Sequence, residues 1–202
     1  MSYDIRPMCR EDVAQVTEID QEAFPTMWPP ANYERELKMP LAHYIVAREV
    51  SPTTGVQPLT NCKHDLSTGE LLPADKQYLV GFAGLWMMAD EAHITNIAVR
   101  QSHRCRGIGE LLLISMTNLA LELDARMLTL EVRASNMAAQ SLYYKYGFSL
   151  VKVRQGYYTN DKEDALVMAI EDITSAAFQK HLSQLKKAHA DRWGLAVDHI
   201  SR

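Results

Sequence analysis

Cysteine is scarce: only Cys9, Cys62 and Cys105 occur in 202 residues. An odd, widely spaced set excludes a disulfide scaffold and predicts reduced thiols in a reducing compartment, so the chain is expected in the cytoplasm. Long apolar runs are also missing. No stretch approaches the roughly 20 residues that a membrane helix needs, and Met1–Arg6 carries no basic segment leading into an apolar run, so neither membrane span nor signal peptide is expected. There is no basic excess: net charge is −4 and the isoelectric point near 6.0, which argues against a general nucleic-acid binder. Metal ligands are too few. The Cys62-x-His64 pair with Asp65 stands alone in a polar stretch, and no metal site is expected. What remains is an ordinary globular composition, 47% hydrophobic and 23% charged, with room for one sizeable core and appendages.

Apolar periodicity organises the chain. Tyr3–Met8 alternates as a short strand. Arg10–Phe24 carries Val13, Val16, Ile19 and Phe24 at near-helical spacing, and Pro25, Pro29 and Pro30 end it in an aromatic loop around Trp28. A short helix at Tyr33–Lys38 is stopped by Pro40. His43–Ala47 reads as a strand. Residues 50–76 are rich in Ser, Thr, Pro and Gly, and are read as an inserted polar loop. Tyr78–Met87 and His93–Val99 form a hairpin about Asp90-Glu91. Ile108–Leu123 places Ile108, Leu111, Leu112, Ser115, Leu119 and Leu123 on one face of an amphipathic helix. The strand Met127–Val132, the helix Asn136–Tyr146 stopped by Gly147, and the strands Leu150–Val153 and Leu166–Ile170 follow. Phe178, Leu182, Leu185 and Trp193 mark a terminal helix. The class is mixed α/β. The helix between His93–Val99 and Met127–Val132 allows those strands to lie parallel. We divide the chain into a domain at 1–172 and a helical extension at 173–202.

Two constellations carry chemistry. Arg104-Cys105-Arg106-Gly107-Ile108-Gly109 lies between a strand and a helix start, where unpaired N–H groups and the dipole attract anions and glycine allows close approach. By itself it reads equally as a phosphate cradle or a solvated cap. Leu112 stands where a dinucleotide fingerprint has its third glycine, and the Gly-Lys-Ser/Thr of a P-loop is absent. The second constellation centres on Glu131, within Met127, Leu128, Leu130 and Val132. A carboxylate on an apolar strand is expected to be desolvated, with a raised pKa suited to general-base work. Asn136 is a plain N-cap candidate, and Tyr143, seven residues on, shares its helix face. Tyr144 and Tyr146 read as ordinary rim and core aromatics. His43, His93 and His103 have no evident partner and read as structural. Cys105 lacks an evident general base and reads as a bystander in the loop.

From Asn96 to Met168 these pieces stand in a familiar order. They are Asn96-Ile97-Ala98-Val99, Arg104-x-x-Gly107-x-Gly109, Leu130-Glu131-Val132-Arg133-Ala134-Ser135-Asn136, Leu142-Tyr143, Gly147-Phe148, Tyr157-Tyr158 and Asp164-Ala165 with Met168. The run resembles the GNAT superfamily of acetyltransferases, and within it the RimI-type ribosomal-protein-alanine N-acetyltransferases. The resemblance implies the GNAT fold, a mixed sheet with parallel strands flanking a cofactor cleft and helices on both faces. It implies acetyl-CoA as co-substrate, held by the backbone of Ile97, Ala98 and Val99, by the loop Arg104, Cys105, Arg106, Gly107, Ile108, Gly109 and Glu110, and by Asn136 and Tyr143. Glu131 falls at the family's proton acceptor and Tyr143 at its proton donor. Tyr157 and Tyr158, with Phe24 and Trp28, fall where related enzymes shape the acceptor pocket. The implied acceptor is a protein N-terminus, by resemblance a small-subunit ribosomal protein beginning with alanine. The alternatives are a lysine or small-molecule amine acceptor, or a coenzyme-A-binding regulator without turnover. Residues 50–76 and those after Asp172 depart from the compact family pattern.

Overall fold

The computed structural model describes residues 2–24, 32–50 and 78–194. The expected loop around Trp28 and the polar insertion from 51 onward lie outside the described residues. The strands are β1 (Ser2–Pro7), β2 (Ala42–Val50), β3 (Leu79–Met88), β4 (Glu91–Val99), β5 (Met127–Arg133), β6 (Ser149–Tyr158) and β7 (Glu163–Ile170). The helices are α1 (Val13–Ala23), α2 (Tyr33–Glu36), α3 (Ile108–Glu122), α4 (Met137–Lys145) and α5 (Ala176–Trp193). The first helix begins later than its periodicity suggests. Arg10–Asp12 winds as a tighter turn, pinned because both Arg6 Nη atoms bond Asp12 at 2.7 Å. The strand expected at Leu150–Val153 runs on through Tyr158, which puts Tyr157 and Tyr158 at a strand end.

Seven strands form one sheet in the order β1-β2-β3-β4-β5-β7-β6. Among the described residues only β4 and β5 pair in parallel, as the intervening helix α3 permits. Their pairing is short, running from Glu91↔Met127 to Ile94↔Leu130. Beyond that point β4 continues against β3 alone and β5 against β7 alone, so a wedge opens between them. A bulge marks the parting: Gly84 opposes Asn96 and Leu85 opposes Ile94, leaving Thr95 unmatched. An extra residue bends its strand. Gly84 makes room for it, since a Cβ there would meet Thr95 Oγ1 at 2.7 Å and the Tyr44 ring closer still.

The sheet carries a core on each face. One gathers β-strand residues such as Ile94 and Leu130 with α3, Tyr143, Phe148 and Leu182. The other packs Val16, Ile19 and Tyr33 on Val46, Leu79 and Phe82. α3 departs from the amphipathic expectation. Leu113, Ile114, Met116 and Thr117 are buried as well as the predicted face, because the sheet lies on one side and α5 packs across another. Among the described residues no helix is long and apolar enough to cross a membrane.

Candidate active site

The wedge is the candidate site. It opens a cavity of about 630 Å³ lined by Ile94–Ile97 of β4, Leu130–Arg133 of β5, and Asn136, Ala139 and Tyr143 at α4, with Tyr157 and Tyr158 closing one side. Because Asn96–Val99 pairs with β3 only, every second residue there turns its N–H and C=O into the wedge. Of the residues singled out by sequence, Phe24, Ile97, Glu131, Asn136, Tyr143, Tyr157 and Tyr158 line this cavity. Ala98, Val99 and the loop from Arg104 to Glu110 do not line it; they continue from the end of β4 toward α3. Trp28 lies outside the described residues.

Glu131 stands where the strands part, with both carboxylate oxygens engaged. Oε2 is 2.9 Å from His93 Nε2 and Oε1 is 2.8 Å from Arg154 Nη1. Two expectations are thereby corrected. The Glu131 carboxyl is held below the usual carboxylate range, not above it: the hydrogen bond with His93 is the largest cause, burial opposes it and loses, and Arg154 and Lys152 add to the lowering. His93 is also no isolated structural histidine, since its Nδ1 lies 2.8 Å from Thr129 Oγ1. Period-two alternation in β4 sets His93 on the face of Glu91, but the register against β5 that brings it to Thr129 is not written in local sequence.

Tyr143 is buried at the base of the wedge, its ring against Phe148, and burial followed by the neighbouring Tyr158 pushes its phenol up to about 12. Tyr144 is exposed and Tyr146 buried, as their ordinary reading has it. Asn136 caps α4, its side chain accepting from Ala139 N at 3.2 Å. The turn before it is tied down by Glu163, which accepts from Ser135 N and from Arg133 Nη1, each at 2.6 Å.

The start of α3 suits an anion. Gly107 is the N-cap at φ +80° and no side chain caps this end, so the first N–H groups keep their bonding capacity. A Cβ at Gly109 would meet only Val99 Cγ2, at 3.8 Å, leaving open space for a ligand. Gly107 differs: α5 covers it, with Trp193 ring atoms 2.7–2.8 Å from where its Cβ would be and His189 Nε2 3.0 Å from its carbonyl oxygen. Cys105 is exposed at φ +60°. Arg104 Nε donates to Val99 O at 3.2 Å. The Glu110 side chain is spent on Lys145 Nζ and Tyr146 OH, which leaves its backbone for the loop. The features present fit a pyrophosphate.

On the other side of the cavity lie Asp20, Phe24, Glu36 and Tyr44. Burial raises the Asp20 carboxyl, and Tyr44 OH donates to Glu36. Of the acidic residues on α1, Glu18 and Glu22 are taken by Arg100, at 2.9 and 3.8 Å; only Asp20 faces the cavity. Among the described residues no group of three or more His, Cys, Asp or Glu is arranged to hold a metal ion.

A sheet split beside a bulge, with an uncapped helix start following the bulged strand, sets a cleft beside an anion site. Residues 13–148 match the acetyltransferase (GNAT) family, and the chain belongs to that family of enzymes. It is 36% identical over 165 residues to a Bacillus subtilis protein provisionally named as a ribosomal protein bS18-alanine N-acetyltransferase, covering 81% of this chain and 92% of the relative. To an N-alpha-acetyltransferase of Sulfurisphaera tokodaii it is 32% identical over 168 residues, 83% of this chain and 92% of that one. The crystal structure of the ribosomal-protein-S18-alanine N-acetyltransferase from Escherichia coli superposes with a TM-score of 0.66 at 24% identity, covering 86% of this chain and 97% of that one.

Proposed function

We propose that this chain moves the acetyl group of acetyl-CoA to the α-amino group of a protein N-terminus, and that the acceptor is a ribosomal protein beginning with alanine. The observation that carries the reading is the Glu131 carboxylate at the mouth of the parted strands, backed by His93 and facing an aromatic wall. The uncapped start of α3 and the open side of Gly109 suit the coenzyme's pyrophosphate. The α-amine needs a base: with a pKa of roughly 7.7–8.0 it is mostly protonated at neutral pH. Glu131 takes that proton once the incoming ammonium displaces Arg154. A carboxylate held this low is a weak base alone, and His93 supplies a nitrogen to receive the proton from it. The free amine then attacks the thioester carbonyl directly. A backbone N–H of Ile97–Val99, unpaired on the wedge side, stabilises the oxyanion. With a pKa of about 12, Tyr143 steadies the departing thiolate by donating a hydrogen bond, since a thiol's ordinary pKa of about 8.5 makes full transfer uphill.

The choice of an α-amine over a lysine rests on acidity. A lysine amine, near 10.4, is far harder to deprotonate with a carboxylate, and the relatives above carry the names of N-terminal acetyltransferases, that of Bacillus subtilis provisionally. Asp20 and Glu36 on the acceptor side suit a cationic chain end. The test is a pair of peptides, one with a free alanine terminus and one blocked there but carrying lysine, followed by intact mass. The free terminus is acetylated faster; preference for the blocked peptide overturns the reading.

A further inference from the structure

Net acetyl transfer to an ammonium sheds two protons. The N–C bond forms as the C–S bond breaks; one nitrogen proton ends on the thiolate and the other must reach water. A way out that avoids the wedge keeps this proton clear of both substrates. Behind Glu131 lies an unbroken line of hydrogen bonds. Glu131 Oε2 is 2.9 Å from His93 Nε2, His93 Nδ1 is 2.8 Å from Thr129 Oγ1, and Thr129 Oγ1 donates to Glu91 Oε1 at 2.6 Å. Glu91 opens β4, directly after the exposed residues Met88–Asp90. We propose that Thr129 and Glu91 form a proton exit, carrying the amine's proton from the Glu131–His93 pair along the β4–β5 seam to water.

Donor counting makes the line a relay. A hydroxyl has one proton, so while Thr129 donates to ionised Glu91 it accepts from His93 Nδ1–H, and Nε2–H faces Glu131 as an imidazolium. If each proton steps one place outward, Nδ1–H breaks as Thr129 gains a proton, Thr129 O–H breaks as Glu91 gains one, and His93 is left neutral with its Nε2–H still toward Glu131. The atoms of the two states coincide; only protons have moved. Loss of the Glu91 proton to water, rotation of the hydroxyl and tautomerisation of the ring to Nδ1–H free Nε2, which takes the amine's proton from Glu131 and restores the starting state. The charged groups that face the line from neighbouring elements are Arg154 and Lys152 of β6, both at its Glu131 end. Both favour the carboxylate at rest, and Lys152 keeps that bias once the ammonium has displaced Arg154. Register explains why these residues meet: His93 lies opposite Thr129, and Glu91 and Glu131 sit one step to either side on the same face.

The proposal rests on Glu131 as proton acceptor, so the experiment separates the two. Thr129→Val keeps the shape and removes the hydroxyl; Glu91→Gln keeps the acceptor oxygen and cannot take a proton. Both are expected to lower kcat by roughly tenfold to a hundredfold, the lower part of the usual range for acid–base contributions. KM for acetyl-CoA and for an alanine-terminal peptide stays as in the native chain. Added imidazole buffer, shuttling the proton instead, restores much of the rate, and Thr129→Ser retains it. If Thr129→Val fails to fold, as judged by circular dichroism, Glu91→Gln at the outer end carries the test. Native kcat in the folded variants, or a loss that buffer does not relieve, overturns the exit while Glu131→Gln remains defective. Full activity in Glu131→Gln removes the underlying reading instead.

Discussion

Glu131 was legible as a chemical residue because an acid among Met127, Leu128, Leu130 and Val132 is out of place on a buried strand. Its electrostatics were not legible. The groups that lower it, His93 and Arg154, come from β4 and β6, and only the folded sheet brings them to its two oxygens. Arg154→Ala removes one of them, so the Glu131 carboxyl should titrate at a higher pH, nearer the usual range, in a carbon-detected NMR titration. An unchanged midpoint would mean that Arg154 exerts no hold on the base. For Tyr143 the high pKa demotes proton transfer in favour of hydrogen bonding. Tyr143→Phe is expected to cost less in kcat than Glu131→Gln, by about tenfold or less if a single hydrogen bond of about 0.5–1.5 kcal/mol is lost. A loss as large as that of Glu131→Gln would restore the tyrosine as obligatory acid.

At the level of elements, strand and helix positions followed from periodicity, and the parallel pair followed from the helix between its members. The split did not, because a bulge at Thr95 is a matter of register against β3. Nor did the all-round burial of α3, whose outer cover comes from α5, remote in sequence. That cover changes how the proposed phosphate loop should be tested. Gly107→Val confounds binding with folding, since the new side chain strikes Trp193 at a positive φ. At Gly109 an added Cβ meets only Val99 Cγ2, at ordinary contact distance, yet a valine side chain there fills the space a phosphate would use. It should weaken acetyl-CoA binding about tenfold to a hundredfold, the worth of one hydrogen bond to a charged group, with an unchanged Tm. Unaltered affinity by calorimetry would move the pyrophosphate elsewhere. The β5–α4 turn gives a pH test. The Glu163 carboxyl is pulled down to about 2, chiefly by its bonds to Ser135 and then by Arg133. A depressed carboxylate stabilises the fold above its unfolded pKa of about 4.3 and loses that contribution as pH falls through the folded value. Glu163→Gln should therefore flatten the fall of Tm between about pH 4.3 and 2; a fall as steep as the native chain's would contradict it.

For the whole molecule, the side proposed to hold the coenzyme was the more legible. Its motifs lie in one run of sequence, whereas the side proposed for the acceptor draws on α1, α2, β2 and β6, and Trp28 lies outside the described residues. Asp20 could be placed in the cavity, and Glu18 and Glu22 set aside on Arg100, only once the packing was known. The central claim is that this wedge acetylates a protein α-amine through the Glu131 carboxylate. Its most direct test compares native chain and Glu131→Gln on one alanine-terminal peptide, with intact mass for turnover and calorimetry for acetyl-CoA. The account predicts a fall in kcat of roughly 10²–10⁴-fold with acetyl-CoA affinity unchanged. Near-native turnover in the variant at neutral pH would contradict it.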